Sequence, residues 1–233
     1  VEKYFGIPEG NLIYTSQNER TPLVENIQLF STGKKKETCI FIADQGMGQP
    51  PEKFKDTLLS INKSNKVNLP YLTGSYNMGG TASLSFSGDL EMNLIISKMS
   101  PTINKNNSKD WGFTLIKRFE GEEIGGEEAA YFYLNSNGNI LTTNENSLKI
   151  LPEKVNDIFK PYCGDISHGT IIKMYSYNPL EWKSLGKQLF NRRPRIDLES
   201  IYSSIPLPAK IVDARSDIKA KSYNVITGYW TRN

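Results

Sequence analysis

Histidine and cysteine are scarce in this 233-residue chain: one histidine, His168, and two cysteines, Cys39 and Cys163. Two thiols cannot make a disulfide framework, and Cys39, inside an apolar segment, reads as a buried free thiol. A reducing, cytoplasmic setting is expected. Long apolar runs are missing too, so no stretch reaches the length that spans a bilayer, and residues 1–15 lack the charged and apolar regions of a signal peptide. Lys and Arg outnumber Asp and Glu by only three, 28 against 25. That excess fits an anionic ligand but carries no claim of nucleic-acid binding. No internal repeat is present. At 38% hydrophobic and 23% charged residues, the chain is globular, of a size for one large domain or two small ones. It opens on Val1 with no initiator methionine, which gives the expectation of a piece of a longer protein.

The apolar pattern predicts a mixed sheet with a few helices. "LVENIQLF" and "ETCIFIAD" read as a hairpin over residues 22–44, joined by the lysine-rich turn "STGKKK". In "QPPEKFKDTLLSI" a proline precedes Phe54, Leu58 and Ile61 at helical spacing. A glycine-bearing loop follows and runs toward a helix near Thr81–Phe86. Alternation at Leu90, Met92, Leu94 and Ile96, then at Trp111, Phe113 and Leu115, then in "AAYFYL", predicts an antiparallel meander. The acidic "FEGEEIGGEEAA" reads as a solvated turn rather than a metal site. "LPEKVNDIF" and residues 179–191 are helix candidates, "HGTIIKMYSY" starts a strand, and "YNVITGYW" is a weak one. The expected fold class is α+β, a two-layer sandwich of a mixed, mostly antiparallel sheet with helices on one face.

Three glycine-bearing motifs occur in order: "DQGMG" at 44–48, "GSYNMGG" at 74–80 and "HGT" at 168–170. Each alone is weak, since an Asp followed by spaced glycines also makes a tight turn after a strand. Together, over roughly residues 22–178, they resemble the ATP-binding domain of the GHKL superfamily, which includes gyrase, the ninety-kilodalton heat-shock chaperones, histidine kinases, MutL-type repair proteins and the MORC ATPases. The resemblance implies the Bergerat fold and an adenine nucleotide, ATP or ADP, as ligand. It assigns Asp44 to the adenine amino group, with Gly46 and Gly48 letting the backbone approach the ring and Met47 lying against it. It reads Gly74, Asn77, Met78, Gly79, Gly80 and Thr81 as a phosphate-wrapping lid at a helix N-terminus. Asn77 departs from the family's usual glycine, although asparagine tolerates the left-handed region. Lys63 and Lys66 are either phosphate contacts or part of a solvated loop. The resemblance also implies that Thr170 joins the aspartate and an ordered water at the adenine, with Gly169 permitting the approach.

Hydrolysing members of the family carry a glutamate that activates water and an asparagine that holds magnesium, on a helix before the hairpin. That helix is missing from this sequence. Glu25 and Asn26 fall in the predicted strand and lack the family's helical-turn spacing, so no catalytic residue is assigned. The expectation is weak nucleotide binding by this chain, slow or no hydrolysis, and Mg2+ arriving with the nucleotide. The domain reading is an ATP-binding domain over 1–178 and a C-terminal helix and extension over 179–233, at the start of a following domain. A homodimer closed by ATP, or a DNA or protein client, would follow by analogy alone. A Cys163–His168 dyad lacks an orienting acid. "NRRPR", with Arg192, Arg193 and Arg195, reads as a solvated helix end before it reads as a nucleic-acid contact. The competing function is a non-catalytic interaction module whose glycine motifs are turns or relics.

Overall fold

The computed structural model describes residues 2–34, 36–60, 87–103, 109–149, 165–177, 204–216 and 222–232. Its strands, in chain order, are β1 (Ile27–Lys34), β2 (Glu37–Asp44), β3 (Met92–Lys98), β4 (Trp111–Phe119), β5 (Ala130–Tyr133), β6 (Leu141–Thr143), β7 (Leu148–Lys149), β8 (Asp165–Ile166), β9 (Gly169–Met174), β10 (Ala209–Asp213) and β11 (Ser222–Ile226). The described α-helices are single turns: α1 (Glu2–Phe5), α2 (Gln17–Arg20) and α3 (Gly121–Ile124). The class is α+β with mostly antiparallel pairing. The chain divides into two compact units, one made of Val1–Gln45, Lys149–Asp165 and Glu181–Asn233, the other of Gly46–Leu148 and Ile166–Leu180.

In the first unit, β1 and β2 form the expected hairpin, in register from Ile27↔Asp44 to Lys34↔Glu37. Its first strand starts later than the apolar pattern predicts. Thr21–Asn26 is a 3-10 helix with Pro22 in its first turn, so Glu25 and Asn26 are not strand residues. Proline has no N–H to give a ladder and its fixed φ suits a helix start, which moves the boundary to Ile27.

Residues beyond 179 supply two strands to this unit. β10 runs parallel to β1, Gln28↔Lys210 through Ser31↔Asp213, and β11 runs antiparallel to β10. Four of the five β10 residues are buried. With both faces covered the strand loses the alternation that marks a half-buried one, so the apolar pattern predicts no strand there. Phe30 and Phe41 meet edge to face at 5.9 Å, and Ile211 and Ile226 pack with Leu29, Ile205 and Ala209. A buried ion pair lies beside them. Arg215 Nη2 donates to Asp213 Oδ2 at 2.8 Å and Arg215 Nε to Oδ1 at 2.9 Å, while the Ser31 hydroxyl donates to Oδ1 at 2.9 Å.

The second unit holds the predicted meander. β3 pairs antiparallel with β4 and β4 with β5, while β6 lies beside β4 farther along and β9 flanks β3 on its other side. The alternation is present, but the more buried face of β3 is Asn93, Ile95 and Ser97, not Met92, Leu94 and Ile96. Leu90 lies outside the strand, in the 3-10 helix Gly88–Leu90. Asn93 is tolerated inside because the Ser87 hydroxyl donates to its Oδ1 at 2.7 Å. The helix expected after Pro50 is the 3-10 helix Pro51–Asp56, which drives Phe54 into a cluster with Ile95 and Ile140, against Leu58 and Leu59. The acidic turn contains α3, closed by a capping box in which Glu123 accepts from the Glu120 N–H at 2.9 Å. The helices expected near 81–86, 151–159 and 179–191 lie outside the described residues. Among the described residues, no helix is long and apolar enough to cross a membrane.

Candidate functional site

Asp44 is the last residue of β2, half-buried, opposite Ile27. The chain is held straight for one residue more, since the Gln45 N–H donates to the Asn26 carbonyl at 2.9 Å. Then it turns. Gly46 and Met47 are exposed, Met47 at 64%, and Gly48 is buried. Asp44 belongs to the first unit; Gly46, Met47, Gly48 and Thr170 belong to the second.

Within the second unit, two of the three motifs meet. Gly48 has φ +61, and a Cβ placed there would lie 1.9 Å from the Lys98 carbonyl oxygen and 3.0 Å from that of Gly169. Only glycine fits, on both conformational and steric grounds. The loop is pinned on either side of Gly48: the Ser100 N–H donates to the Met47 carbonyl at 2.7 Å, and the Gln49 N–H donates to Ser97 Oγ at 2.8 Å. Gly169, with φ +111, sits opposite Lys98 in the β3–β9 ladder, and Thr170 opposite Ser97.

Ser97 is the hub of this cluster. It is fully buried, and its Oγ lies 2.8 Å from the Gly169 carbonyl and 3.1 Å from Thr170 Oγ1. A carbonyl has no proton, so the one hydroxyl proton of Ser97 goes to Gly169. The Thr170 contact is then made by the threonine donating to Ser97, which leaves the Thr170 oxygen with acceptor capacity only. A half-buried acceptor oxygen is thereby fixed on the strand that carries "HGT". Neither Ser97 nor Gln49 was singled out from sequence. The available signal was the run Asn93, Ile95, Ser97 on one face of a strand, where polar residues inside call for partners.

Lys98, the next residue, is committed elsewhere. Its ammonium donates to the Glu145 carbonyl at 2.8 Å and lies 5.5 Å from the centre of the buried Trp111 ring, whose Nε1 donates to the same carbonyl at 3.1 Å. Burial holds the Lys98 ammonium below the ordinary lysine range, opposed by the charge of Asp110. His168 is half-buried, with its Nδ1 2.9 Å from the Ser167 hydroxyl. Glu25 reaches the fully buried Lys210, Oε1 to Nζ at 2.6 Å, so its carboxylate is engaged in an ion pair.

The lid residues Gly74, Asn77, Met78, Gly79, Gly80 and Thr81, with Lys63, Lys66, Cys163 and the arginines 192, 193 and 195, lie outside the described residues. Among the described residues, no group of three or more His, Cys, Asp or Glu is placed to hold a metal ion. Compared with known family models and with curated proteins, the chain matches none.

Proposed function

We propose that this chain is an adenine-nucleotide-binding domain of the GHKL type, a two-layer Bergerat sandwich in a cytoplasmic protein. The observation that supports it is the meeting of "DQGMG" and "HGT". The Gln49 N–H, next to Gly48, and the Gly169 carbonyl are joined through one buried serine, Ser97, which also bonds the Thr170 hydroxyl. A tight turn alone would not need this. Such a joint is expected where a loop must present its main chain to a flat ligand and a neighbouring strand must offer it an oxygen. In this reading Asp44 accepts from the adenine amino group, and Thr170 accepts from an ordered water. Met47 supplies the apolar contact, and Lys66 and the lid from Gly74 to Thr81 take the phosphates. Magnesium would come with the phosphates. Lid closure driven by ATP, and dimerisation through it, belong to the same proposal.

The charge-assisted bond at Asp44 discriminates adenine from guanine, which has a carbonyl at the equivalent ring position. Calorimetric titration of ADP, ATP and GTP with magnesium into the chain and its Asp44→Asn variant tests this. The expected result is binding of the adenine nucleotides alone and a loss of about tenfold, roughly 1.4 kcal/mol, in the variant. Equal binding of GTP would remove Asp44 as the adenine selector, and no binding up to millimolar nucleotide would leave the interaction-module reading in its place.

A further inference from the structure

Among the described residues, no strand pairs with the outer edge of β5 in the second unit. β5 stands at the end of the strand order. It pairs with β4 from Ile116↔Tyr133 to Phe119↔Ala130, and the Leu134 N–H extends the ladder to the Leu115 carbonyl at 2.8 Å. Bonded and non-bonded pairs alternate in an antiparallel ladder. Leu134 and Phe132 therefore turn their backbone groups to β4, and Tyr131 and Tyr133 turn theirs outward. Among the described residues the outward groups meet one partner, the Asn135 Nδ2, which donates to the Tyr133 carbonyl at 3.1 Å. Both groups of Tyr131 and the N–H of Tyr133 remain for another strand.

Protected edges carry charge, proline or a bulge. This one carries Tyr131 at 42% exposure, Phe132 at 50% and Leu134 at 46%. The Phe132 ring is already held, edge to face against Phe119 at 5.5 Å, so it presents an ordered apolar surface. The connection from β4 to β5 carries five glutamates, 120, 122, 123, 127 and 128, all exposed. The cations nearby in sequence are occupied: Arg118 bonds Glu91 at 2.8 Å and also Glu120, and Lys117 lies over the Phe119 ring at 4.4 Å. Glu122, Glu127 and Glu128 have no ion-pair partner among the described residues. Among the described residues, the charge of this connection is negative, which disfavours nucleic acid and anionic lipid and favours a cationic segment.

We infer that the β5 edge docks an extended peptide of a partner protein, added to the sheet as a further strand and carrying lysine or arginine next to an aliphatic or aromatic residue. Main-chain bonds to Tyr131 and Tyr133 hold it, its apolar side chain packs on Phe132 or Tyr131, and its cations face Glu127 and Glu128. The inference is independent of nucleotide binding.

Fluorescence anisotropy with the whole chain tests it. The probe is a labelled nonapeptide of alternating lysine and valine with a central phenylalanine; one control replaces lysine by glutamate, another replaces valine and phenylalanine by serine. The expected result is saturable binding of the first peptide, with both controls at least tenfold weaker. Glu127→Lys with Glu128→Lys should weaken it at least tenfold. Tyr131→Pro should do the same, because it removes an outward N–H and leaves the bonds to β4 intact. Circular dichroism of each variant separates lost docking from lost folding, and Phe132→Ser gives a second apolar test should the proline variant unfold. Equal binding of the serine control, unchanged binding by the charge-reversed variant, or no binding of the first peptide overturns the inference.

Discussion

Ser97 and Thr170 face each other across the β3–β9 ladder with their hydroxyl oxygens 3.1 Å apart, and the serine's proton is already given to Gly169. The serine is a joint, not a nucleophile. Ser97→Ala leaves the Gln49 N–H and the Gly169 carbonyl without their buried partner, which costs about 1–3 kcal/mol per buried group left unsatisfied. The expected outcome is a lower thermal midpoint together with weakened adenine-nucleotide binding, read by calorimetry on the variant while still folded. Thr170→Val should keep the fold and lose affinity alone.

Gly48 and Gly46 separate packing from binding. Gly48→Ala forces a Cβ to within 1.9 Å of the Lys98 carbonyl oxygen at φ +61, and should destabilise by about 2–5 kcal/mol from left-handed strain and overpacking together. Gly46 is exposed and not in the left-handed region. Its alanine variant should melt with the parent but bind ADP more weakly, if the ring lies against the loop. Denaturant titration beside calorimetry distinguishes the two variants.

The buried Asp213 carboxyl gives a pH signature. Burial pushes it up, but hydrogen bonds from Arg215 and Ser31 and the Arg215 charge outweigh burial, so it lies below the ordinary aspartate value. A carboxyl depressed on folding contributes stability that is complete above its unfolded pKa of about 3.9 and is lost as pH falls through the folded value. Chemical denaturation between pH 5 and the acid limit should show stability falling below pH 4. In Asp213→Asn that fall should be shallower, and stability at neutral pH should be lower.

Lys210 has no solvent exposure and Glu25 keeps part of its own, with the Glu25 Oε2 atom buried and without a hydrogen-bond partner. Removing the cation alone leaves a desolvated carboxylate, so Lys210→Met should cost about 2–3 kcal/mol, less than a fully buried pair because Glu25 is part-exposed. Adding Glu25→Gln should recover part of the loss. A double-mutant cycle in urea should give a coupling of about 1 kcal/mol or more; simple additivity would show that the pair does not matter.

Much of this was legible in the sequence for a physical reason. β3 and β4 were legible as strands from their alternation, but not which face is drier, since Asn93 and Ser97 on β3 and Thr114 on β4 are buried while Leu94, Ile96, Phe113 and Leu115 are only half-buried. β10 was not legible, because a strand covered on both faces shows a short apolar run with Lys210 and Asp213 inside it; Asp213 has Arg215 two residues on, but Lys210 is matched by Glu25, 185 positions away, which no local window contains. The 3-10 helix at Thr21–Asn26 was legible at Pro22 but was overruled by the apolar residues that follow. In the candidate site, glycine spacing pointed to Gly48 and Gly169. Ser97 was hidden because its role depends on the pairing of β3 with β9, which separates bonded partners by 73 positions.

The parallel pairing of β1 with β10 has a consequence for the order of events at the ribosome. Ser31 and Asp213 are 182 positions apart, and joining such distant ends costs about 4–5 kcal/mol of chain entropy before any contact offsets it. The β1–β2 hairpin needs only its own turn and can form as soon as it emerges. Until residues 209–213 have been synthesised, β1 presents a naked flank to the cell. The newborn chain therefore passes through an interval in which its first hairpin is formed while that flank of β1 still lacks its native partner.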